Sequence, residues 1–211
     1  MGRYEIIVKV EEMKKRLDEK EFLSALKILE TMDLRKVKNL NDIRVVADVY
    51  NLNGRYEEAI ELYQKIYNKS KSRKVLFQLV SLSIKCHMIE EAERYLEEYE
   101  RIAPRDISKY IFRYKLDKIK GEPYEVQIIS LEEFKKVEYV EKWAYELAKL
   151  YYKIGDKDLC IRECSDIILW FGEGSYVEKA KLLRAYCSGE MDKSTIIEDI
   201  KRKASSDQTL N

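Results

Sequence analysis

The sequence is poor in the two residues that most often end helices. Its 211 residues include only 7 glycines and 2 prolines, whereas leucine, lysine and glutamate, which favour helices, are abundant. Hydrophobic residues make up 45% of the chain, enough for a core, which argues against disorder of the whole chain. This composition predicts an all-α protein, long enough for one large domain or a short repeat array.

A strong charge of either sign is also missing. The formal net charge is +1, although 37% of the residues are charged. General nucleic-acid binders are usually markedly basic, so this balance argues against nucleic acid as the main partner. Segregation of charge on one face would still permit a local basic groove.

Long apolar runs are absent as well. The longest run, Ile167–Phe171, is far too short to span a membrane, and Ile6–Val8 is too short for the apolar part of a secretion signal. Ile6 also stands where a myristoylated protein would carry serine or threonine. We therefore expect a soluble cytoplasmic protein with reduced cysteines and no membrane partner.

Motifs for catalysis, phosphate binding and metal binding are missing too. The single histidine, His87, is weak grounds for acid–base chemistry, and Gly54 and Gly121 lack the neighbouring glycines of a phosphate-binding loop. Cys160 and Cys164 share one helical face, but a zinc site normally needs four nitrogen or sulfur ligands. We interpret both cysteines as buried packing residues, and we expect no catalytic residue, no cofactor and no metal site.

Candidate turn residues recur at a nearly constant period. Gly54, His87, Gly121 and Gly155 follow one another at intervals of about 34 residues. Glycine at the end of a helix permits a left-handed turn, and histidine tolerates that conformation better than most residues do. The period predicts a series of helix pairs, each joined by a tight turn.

Small side chains recur in phase with these turns. Ala25, Ala59 and Ala92 repeat with the same period, and Cys160 follows Gly155 at the interval at which Ala59 follows Gly54. Antiparallel helices need a small residue where their backbones approach closely. The series therefore predicts the contact point within each helix pair.

These features together resemble the tetratricopeptide repeat family over roughly residues 5–175. The best-matching unit carries Ala47, Tyr50, Gly54, Tyr56, Ala59 and Tyr63. The resemblance implies an all-α fold, a right-handed superhelical array of antiparallel helix pairs with about five repeats and a C-terminal capping helix. The function that it implies is protein–protein interaction.

We predict a helical repeat domain over residues 1–190, followed by a short helix and a flexible polar tail over 191–211. The predicted repeats span residues 5–38, 40–72, 73–105, 106–138 and 141–173, and the capping helix spans 175–188 with Ser175 as its N-cap. The fourth repeat departs from the pattern, because Val126 and Gln127 stand where the small residue is expected. We expect its second helix to begin near Pro123 and to pack at a shifted angle.

In the resembled family the first helix of each pair lines the concave surface, where peptides usually bind. The predicted contact residues are Arg44, Asp48, Asn51, Lys74, Phe77, Gln78, Ser81, Lys115, Lys118, Tyr145, Lys149 and Tyr152. This set is rich in lysine and aromatic residues, which indicates a groove for a protein or peptide, preferably an acidic one. The alternative is that these lysines form an ordinary solvated helix face.

Some members of the family hold a C-terminal carboxylate with lysine, asparagine and arginine at fixed positions. Here Arg44 stands in the lysine place, but Asp48 stands in the asparagine place and Gln78 in a place often taken by arginine. A carboxylate ligand would be repelled by Asp48. We therefore do not expect a clamp of that kind.

Two other functions stay open. We expect Trp143, Trp170 and Phe171 to pack between the last repeat and the capping helix, but an exposed aromatic patch there would favour self-association as a homo-oligomer. Helical repeats can also bind single-stranded RNA, for which the lysines and tyrosines are suitable. The neutral net charge argues against this last alternative.

Overall fold

The chain folds into helices joined by short connections in the computed structural model. The structure describes residues 3–192, 194, 195 and 197. These residues form eleven α-helices and one 3-10 helix, with no strand among them, which confirms the predicted all-α class. The predicted short helix and tail over 191–211 lie largely outside the described residues.

The helices are α1 (Arg3–Asp18), α2 (Phe22–Glu30), α3 (Leu40–Leu52), α4 (Tyr56–Ser70), α5 (Arg73–Lys85), α6 (Ile89–Ile102), α7 (Ser108–Lys120), α8 (Tyr124–Val137), α9 (Glu141–Lys153), α10 (Lys157–Phe171) and α11 (Ser175–Ser188). The 3-10 helix Leu34–Lys36 lies between α2 and α3. Across the described part of the chain, no helix combines the length and apolarity that crossing a membrane requires.

The chain divides into two compact units, Met1–Phe112 and Arg113–Asn211. In the first unit, each helix from α1 to α6 packs against the next one, and α1 also packs against α3. In the second unit, α8 packs against α9 and α9 against α10, while α11 packs against both α9 and α10. Consecutive antiparallel helices are therefore the building element of each unit, and α11 covers the last pair.

A left-handed residue ends the first helix of every pair. The φ angle is 60° at Lys20, 80° at Gly54, 58° at His87, 74° at Gly121 and 86° at Gly155. The left-handed conformation expected of His87 is therefore confirmed. Lysine takes the same conformation in the first pair, where the sequence has no glycine.

The residue after each left-handed residue closes the turn with a backbone hydrogen bond. Its N–H donates to the carbonyl five residues earlier, at N–O distances between 2.8 and 3.0 Å. This is the Schellman arrangement, which satisfies a carbonyl that the helix end would leave unpaired. The five bonds run from Glu21 to Arg16, Arg55 to Tyr50, Met88 to Ser83, Glu122 to Asp117 and Asp156 to Tyr151.

The small residue that follows each turn is fully buried in four of the pairs. The exposed fraction is 0% for Ala25, Ala59, Ala92 and Cys160. Each of these residues lies in the first or second turn of the second helix of its pair, where a larger side chain would force the two backbones apart.

The fourth pair is shifted by one residue. Its second helix, α8, begins three residues after Gly121, whereas the second helices of the other pairs begin two residues after their turn residue. Val126 is consequently exposed, and Gln127 is buried and donates from Nε2 to the carbonyl oxygen of Glu122 at 2.8 Å. Pro123 is the N-cap of α8, next to the start that the sequence predicted.

The predicted N-cap of α11 is wrong by one residue. Gly174 takes the cap position and Ser175 is the first helical residue. The φ of Gly174 is 131°, and a β-carbon there would lie 2.9 Å from Oε1 of Glu141. That carboxylate accepts the N–H of Val177 at 3.3 Å, so a side chain of α9 supplies the acceptor that a serine cap would have supplied.

Substitutions at two turns test the cost of the left-handed conformation. His87→Gly should raise the free energy of unfolding by about 0.5–1 kcal/mol, because a side chain disfavours this conformation and glycine does not. Gly155→Ala should lower it by about 1 kcal/mol, through the backbone alone, since a β-carbon there meets nothing within 4 Å. Urea denaturation of the two variants and the wild type measures both effects, and changes of equal sign would contradict the assignment.

Candidate functional site

Four of the predicted contact residues line one shallow pocket of the first unit. Its volume is about 200 Å³, and its lining comprises Arg44, Arg73, Lys74, Phe77, Gln78, Tyr99 and Asp106. Three cationic side chains and one carboxylate make this lining net positive. The pocket combines cationic groups with aromatic surface.

Aromatic packing fixes the floor of this pocket. The Phe77 ring lies 4.8 Å from Phe112 and 6.1 Å from Tyr99 between centroids, both in edge-to-face geometry. The Tyr99 hydroxyl donates to Asp106 at 2.7 Å, and Arg73 pairs with the same carboxylate at 3.4 Å. Arg73 is therefore partly neutralised, which leaves Lys74 as the more available cation of the pocket.

The carboxylate of Asp48 is bound to a core residue, although its side chain is still 37% exposed. Its carboxylate accepts a hydrogen bond from the hydroxyl of Tyr63, which is almost fully buried, and Arg44 lies 4.0 Å from it. Burial raises the pKa of Asp48 above its ordinary value, although Tyr63 and Arg44 oppose this shift. Asn51 and Ser81, two other predicted contact residues, are half-buried.

A second pocket lies in the second unit and contains two more predicted residues. Its volume is about 440 Å³, and Lys118, Lys149 and Lys153 are part of its lining. Glu146 stands among them, with Oε1 at 2.6 Å from Lys149 Nζ and Oε2 at 3.8 Å from Lys118 Nζ. The Tyr114 hydroxyl also donates to Glu146 at 2.9 Å.

The Glu146 carboxylate is stabilised in its charged form by these neighbours. Burial alone would raise its pKa, but the hydrogen bonds from Lys149 and Tyr114, with the charges of Lys149 and Lys118, hold the pKa below the ordinary value of 4.5. Much of the positive charge of this pocket is therefore already balanced from within the protein.

Two pairs of tyrosines join α9 to α11. The rings of Tyr145 and Tyr176 lie 5.8 Å apart, and those of Tyr152 and Tyr186 also lie 5.8 Å apart. Tyr145 and Tyr152 are seven residues apart and therefore share a face of α9, while Tyr176 and Tyr186, which are ten apart, lie about 80° apart around the axis of α11. The aromatic surface predicted on α9 thus continues onto the capping helix.

Lysines accompany this aromatic surface. The ammonium nitrogen of Lys149 lies 5.4 Å from the centroid of the Tyr145 ring, and that of Lys179 lies 4.8 Å from the Tyr176 ring. We name the whole set the tyrosine–lysine face; it comprises Tyr145, Lys149, Tyr152, Tyr176, Lys179 and Tyr186. The members on α11 are not among the predicted residues, because that helix was expected only to cap the array.

Lys115 lies near Trp143, apart from the tyrosine–lysine face. Its ammonium nitrogen is 5.6 Å from the centroid of the Trp143 ring, and that of Lys142 is 4.8 Å from the same ring. Burial, assisted by the charge of Lys142, lowers the pKa of Lys115. The Trp143 ring also meets Tyr114 of α7 edge to face at 6.1 Å.

The expectation that Trp170 packs beneath the capping helix is wrong. Its exposed fraction is 74%, and that of Leu169 is 81%. The buried stripe of α10 runs through Cys160, Cys164 and Ile167 to the half-buried Phe171, so Trp170 falls beside it. Phe171 stacks on Tyr139 at 5.4 Å, and Trp170 meets the same ring edge to face at 6.2 Å.

The cysteines of α10 are packing residues. Cys160 and Cys164 are fully buried, and the sulfur of Cys160 lies 3.5 Å from that of Cys187 on α11. Burial and the adjacent Cys160 thiol raise the pKa of Cys187 to about 12, so this thiol stays protonated and weakly reactive at neutral pH. Among the described residues, no group of three or more potential ligands is arranged to hold a metal ion.

Substitution of Glu146 tests the balance of charge in the second unit. Because its folded-state pKa is depressed, Glu146 stabilises the fold above pH 4.5, and this contribution is lost as the pH falls through the folded-state pKa. Glu146→Gln should lower the free energy of unfolding at neutral pH by about 1.5 kcal/mol. The variant should also lose less stability than the wild type when the pH is lowered. Urea denaturation at several pH values checks this, with the exposed Glu97→Gln as control; an unchanged pH profile would contradict it.

Known proteins resemble this chain at the level of structure alone. No family model and no curated protein matches the sequence. MamA from Desulfovibrio magneticus is similar in structure, with a TM-score of 0.66 and 14% identity over 85% of this chain and 98% of that chain. A tetratricopeptide repeat protein from Parabacteroides merdae has a TM-score of 0.65 and 14% identity, over 93% of this chain and 83% of that chain. A tetratricopeptide repeat protein from Thermus thermophilus has a TM-score of 0.59 and 14% identity, over 86% of this chain and 98% of that chain. The resemblance predicted from the sequence is thereby confirmed for the fold: the chain has the fold of tetratricopeptide repeat proteins.

Proposed function

We propose that the protein is an interaction module, a scaffold or adaptor, that binds a peptide or an extended segment of a partner protein on its tyrosine–lysine face. The observation that carries this proposal is the continuity of paired tyrosines from α9 to α11, with lysines beside the rings. Tyrosine offers a large contact area at low cost in side-chain entropy, and its hydroxyl can bond to a peptide backbone. The shared fold supports the same role.

The lysines of the face favour an acidic partner. Lys179 has its ammonium group beside Tyr176, whereas Lys149 is already bound to Glu146. Tyr152 is 39% exposed and is the ring that a ligand would reach most easily. Lys179 and Tyr152 are therefore our preferred anchors for an acidic group and an apolar group of the ligand.

The pocket of the first unit provides a second proposed contact region. Lys74 and Gln78 would supply polar contacts there, with Phe77 as the apolar surface and Arg44 at the border. The other predicted contact residues stay proposals of lower weight for peptide binding; they are Asp48, Asn51, Ser81, Lys115 and Lys118. Asp48 is already bound to Tyr63, and Lys118 is paired with Glu146.

A selection from a displayed peptide library tests the proposal directly, whichever partner the protein has. Peptides selected on the wild type should be enriched in acidic and apolar residues. Their affinity, measured by fluorescence anisotropy, should fall about tenfold or more in Tyr152→Ala and in Lys179→Glu, since each removes a central contact.

Matched controls separate this face from the rest of the surface. Tyr4→Ala removes an accessible tyrosine from α1, and Arg162→Glu reverses an exposed charge on α10. Neither should change the affinity by more than about twofold. Selected peptides that bind all four variants equally would contradict the proposed face.

Self-association is a second candidate function, favoured by the apolar surface around Trp170. Leu169 and Trp170 are adjacent and largely exposed. The Trp170 ring contacts Tyr139, and Val137, two residues before Tyr139, is 61% exposed. Exposed apolar groups of this size are costly in water and are often covered by a partner. A second copy of this chain, with the same groups, would cover them in an isologous contact.

Sedimentation equilibrium at several concentrations decides this candidate. The wild type should show a monomer–dimer equilibrium. Trp170→Ser should weaken dimerisation about tenfold or more, because it removes the largest ring that the dimer contact would cover. Leu23→Ser, at an exposed leucine of α2, serves as the control and should leave the equilibrium unchanged. A wild-type protein that stays monomeric at all concentrations would exclude self-association through this surface.

A further inference from the structure

Two lysines from different helices converge on one indole ring in the second unit. Lys115 belongs to α7 and Lys142 to α9, and both ammonium nitrogens lie within 5.6 Å of the centroid of Trp143. Lys115 is half-buried. Burial, and after it the charge of Lys142, lowers the pKa of Lys115, so the two positive charges repel each other. Lys142 itself is exposed.

These two lysines differ from their neighbours in having no counter-charge among the residues that the structure describes. Lys118 and Lys149 share the carboxylate of Glu146. Within the described part of the chain, neither Lys115 nor Lys142 forms an ion pair or a hydrogen bond with a carboxylate. The indole face attracts both ammonium groups through cation–π contacts, but it carries no net charge that would balance them. A bound anion would offset the repulsion between the two lysines and accept charge-assisted hydrogen bonds from them.

We propose that Lys115 and Lys142 form a binding site for a dianionic phosphoryl group, with Trp143 as its apolar wall. A phosphomonoester carries a charge of about −1.5 to −2 at neutral pH, which matches two lysines, whereas a carboxylate balances only one. The indole would contact the carbon atoms next to the phosphate. If the protein binds peptides as proposed above, the natural ligand is a phosphorylated side chain of that partner.

Tryptophan fluorescence reports directly on this site. The chain has two tryptophans, so Trp170→Phe leaves Trp143 as the single reporter. Inorganic phosphate at about pH 8, where it is mostly a dianion, should change the Trp143 emission in a saturable manner. At about pH 5.5, where phosphate is a monoanion, the affinity should be about tenfold lower, while sulfate, a dianion at both pH values, should bind equally well at both.

Variants of the two lysines locate the effect. In the same background, Lys115→Gln and Lys142→Gln should each weaken phosphate binding about tenfold, because each removes one charge-assisted contact. Lys115→Arg keeps the charge and should retain phosphate binding. Lys157→Gln, at an exposed lysine of α10, is the matched control and should bind phosphate as the parent does. Circular dichroism confirms that each variant is folded.

Several results would overturn the proposal. The first is that phosphate leaves the Trp143 emission unchanged, and the second is that acetate at the same ionic strength changes the emission as much as phosphate does. The third is that both glutamine variants bind phosphate with undiminished affinity. Tighter binding of a nucleoside monophosphate than of a phosphoserine peptide would overturn the assignment to a phosphorylated partner. Because titration with inorganic ions needs no peptide, this site and the peptide-binding role of the tyrosine–lysine face can fail independently.

Discussion

The left-handed residue at the end of each first helix is the constraint on which the rest of the structure depends. It reverses the chain within two residues and lets the next N–H close a bond to the carbonyl five residues back. In the pairs α1–α2, α3–α4, α5–α6 and α9–α10, the second helix packs back against the first. Lys20 and His87 adopt this conformation without the freedom of glycine. Histidine tolerates it better than most residues do, whereas lysine has no such preference, so the packing of the helices must hold the turn at Lys20.

Close packing within the pairs follows from the turn. A buried small residue lets the two helices approach, and Ala59 and Cys160 do this in equivalent places. The fourth pair shows the consequence of one additional residue before the helix. Gln127 is buried there instead of Val126, and a buried side-chain amide needs a hydrogen-bond acceptor. The carbonyl oxygen of Glu122 accepts this bond. The apolar side chain of Val126 is left partly exposed on α8.

Charge balance, more than charge itself, distinguishes the lysines of the second unit. Lys149 and Lys118 are directed to a carboxylate that their presence keeps ionised, so their contribution to an external anion is reduced. Lys115 and Lys142 both lie beside an indole ring without such a partner among the described residues. In the sequence these residues look alike, because each is a lysine on a helix with acidic residues nearby. Their different roles depend on which helix lies opposite.

The sequence by itself determined the helical class, the period of the pairs, the turn residues and the small contact residues, because these are set by local backbone preference and by the repeat of side-chain size. It also placed Arg44, Lys74, Phe77 and Gln78 on equivalent helical faces, and the structure brings them to one pocket. Only the tertiary structure decided the exposure of Trp170, the extension of the aromatic surface onto α11 and the pairing of each lysine. These depend on the angle and register at which one helix meets another, which no local pattern encodes.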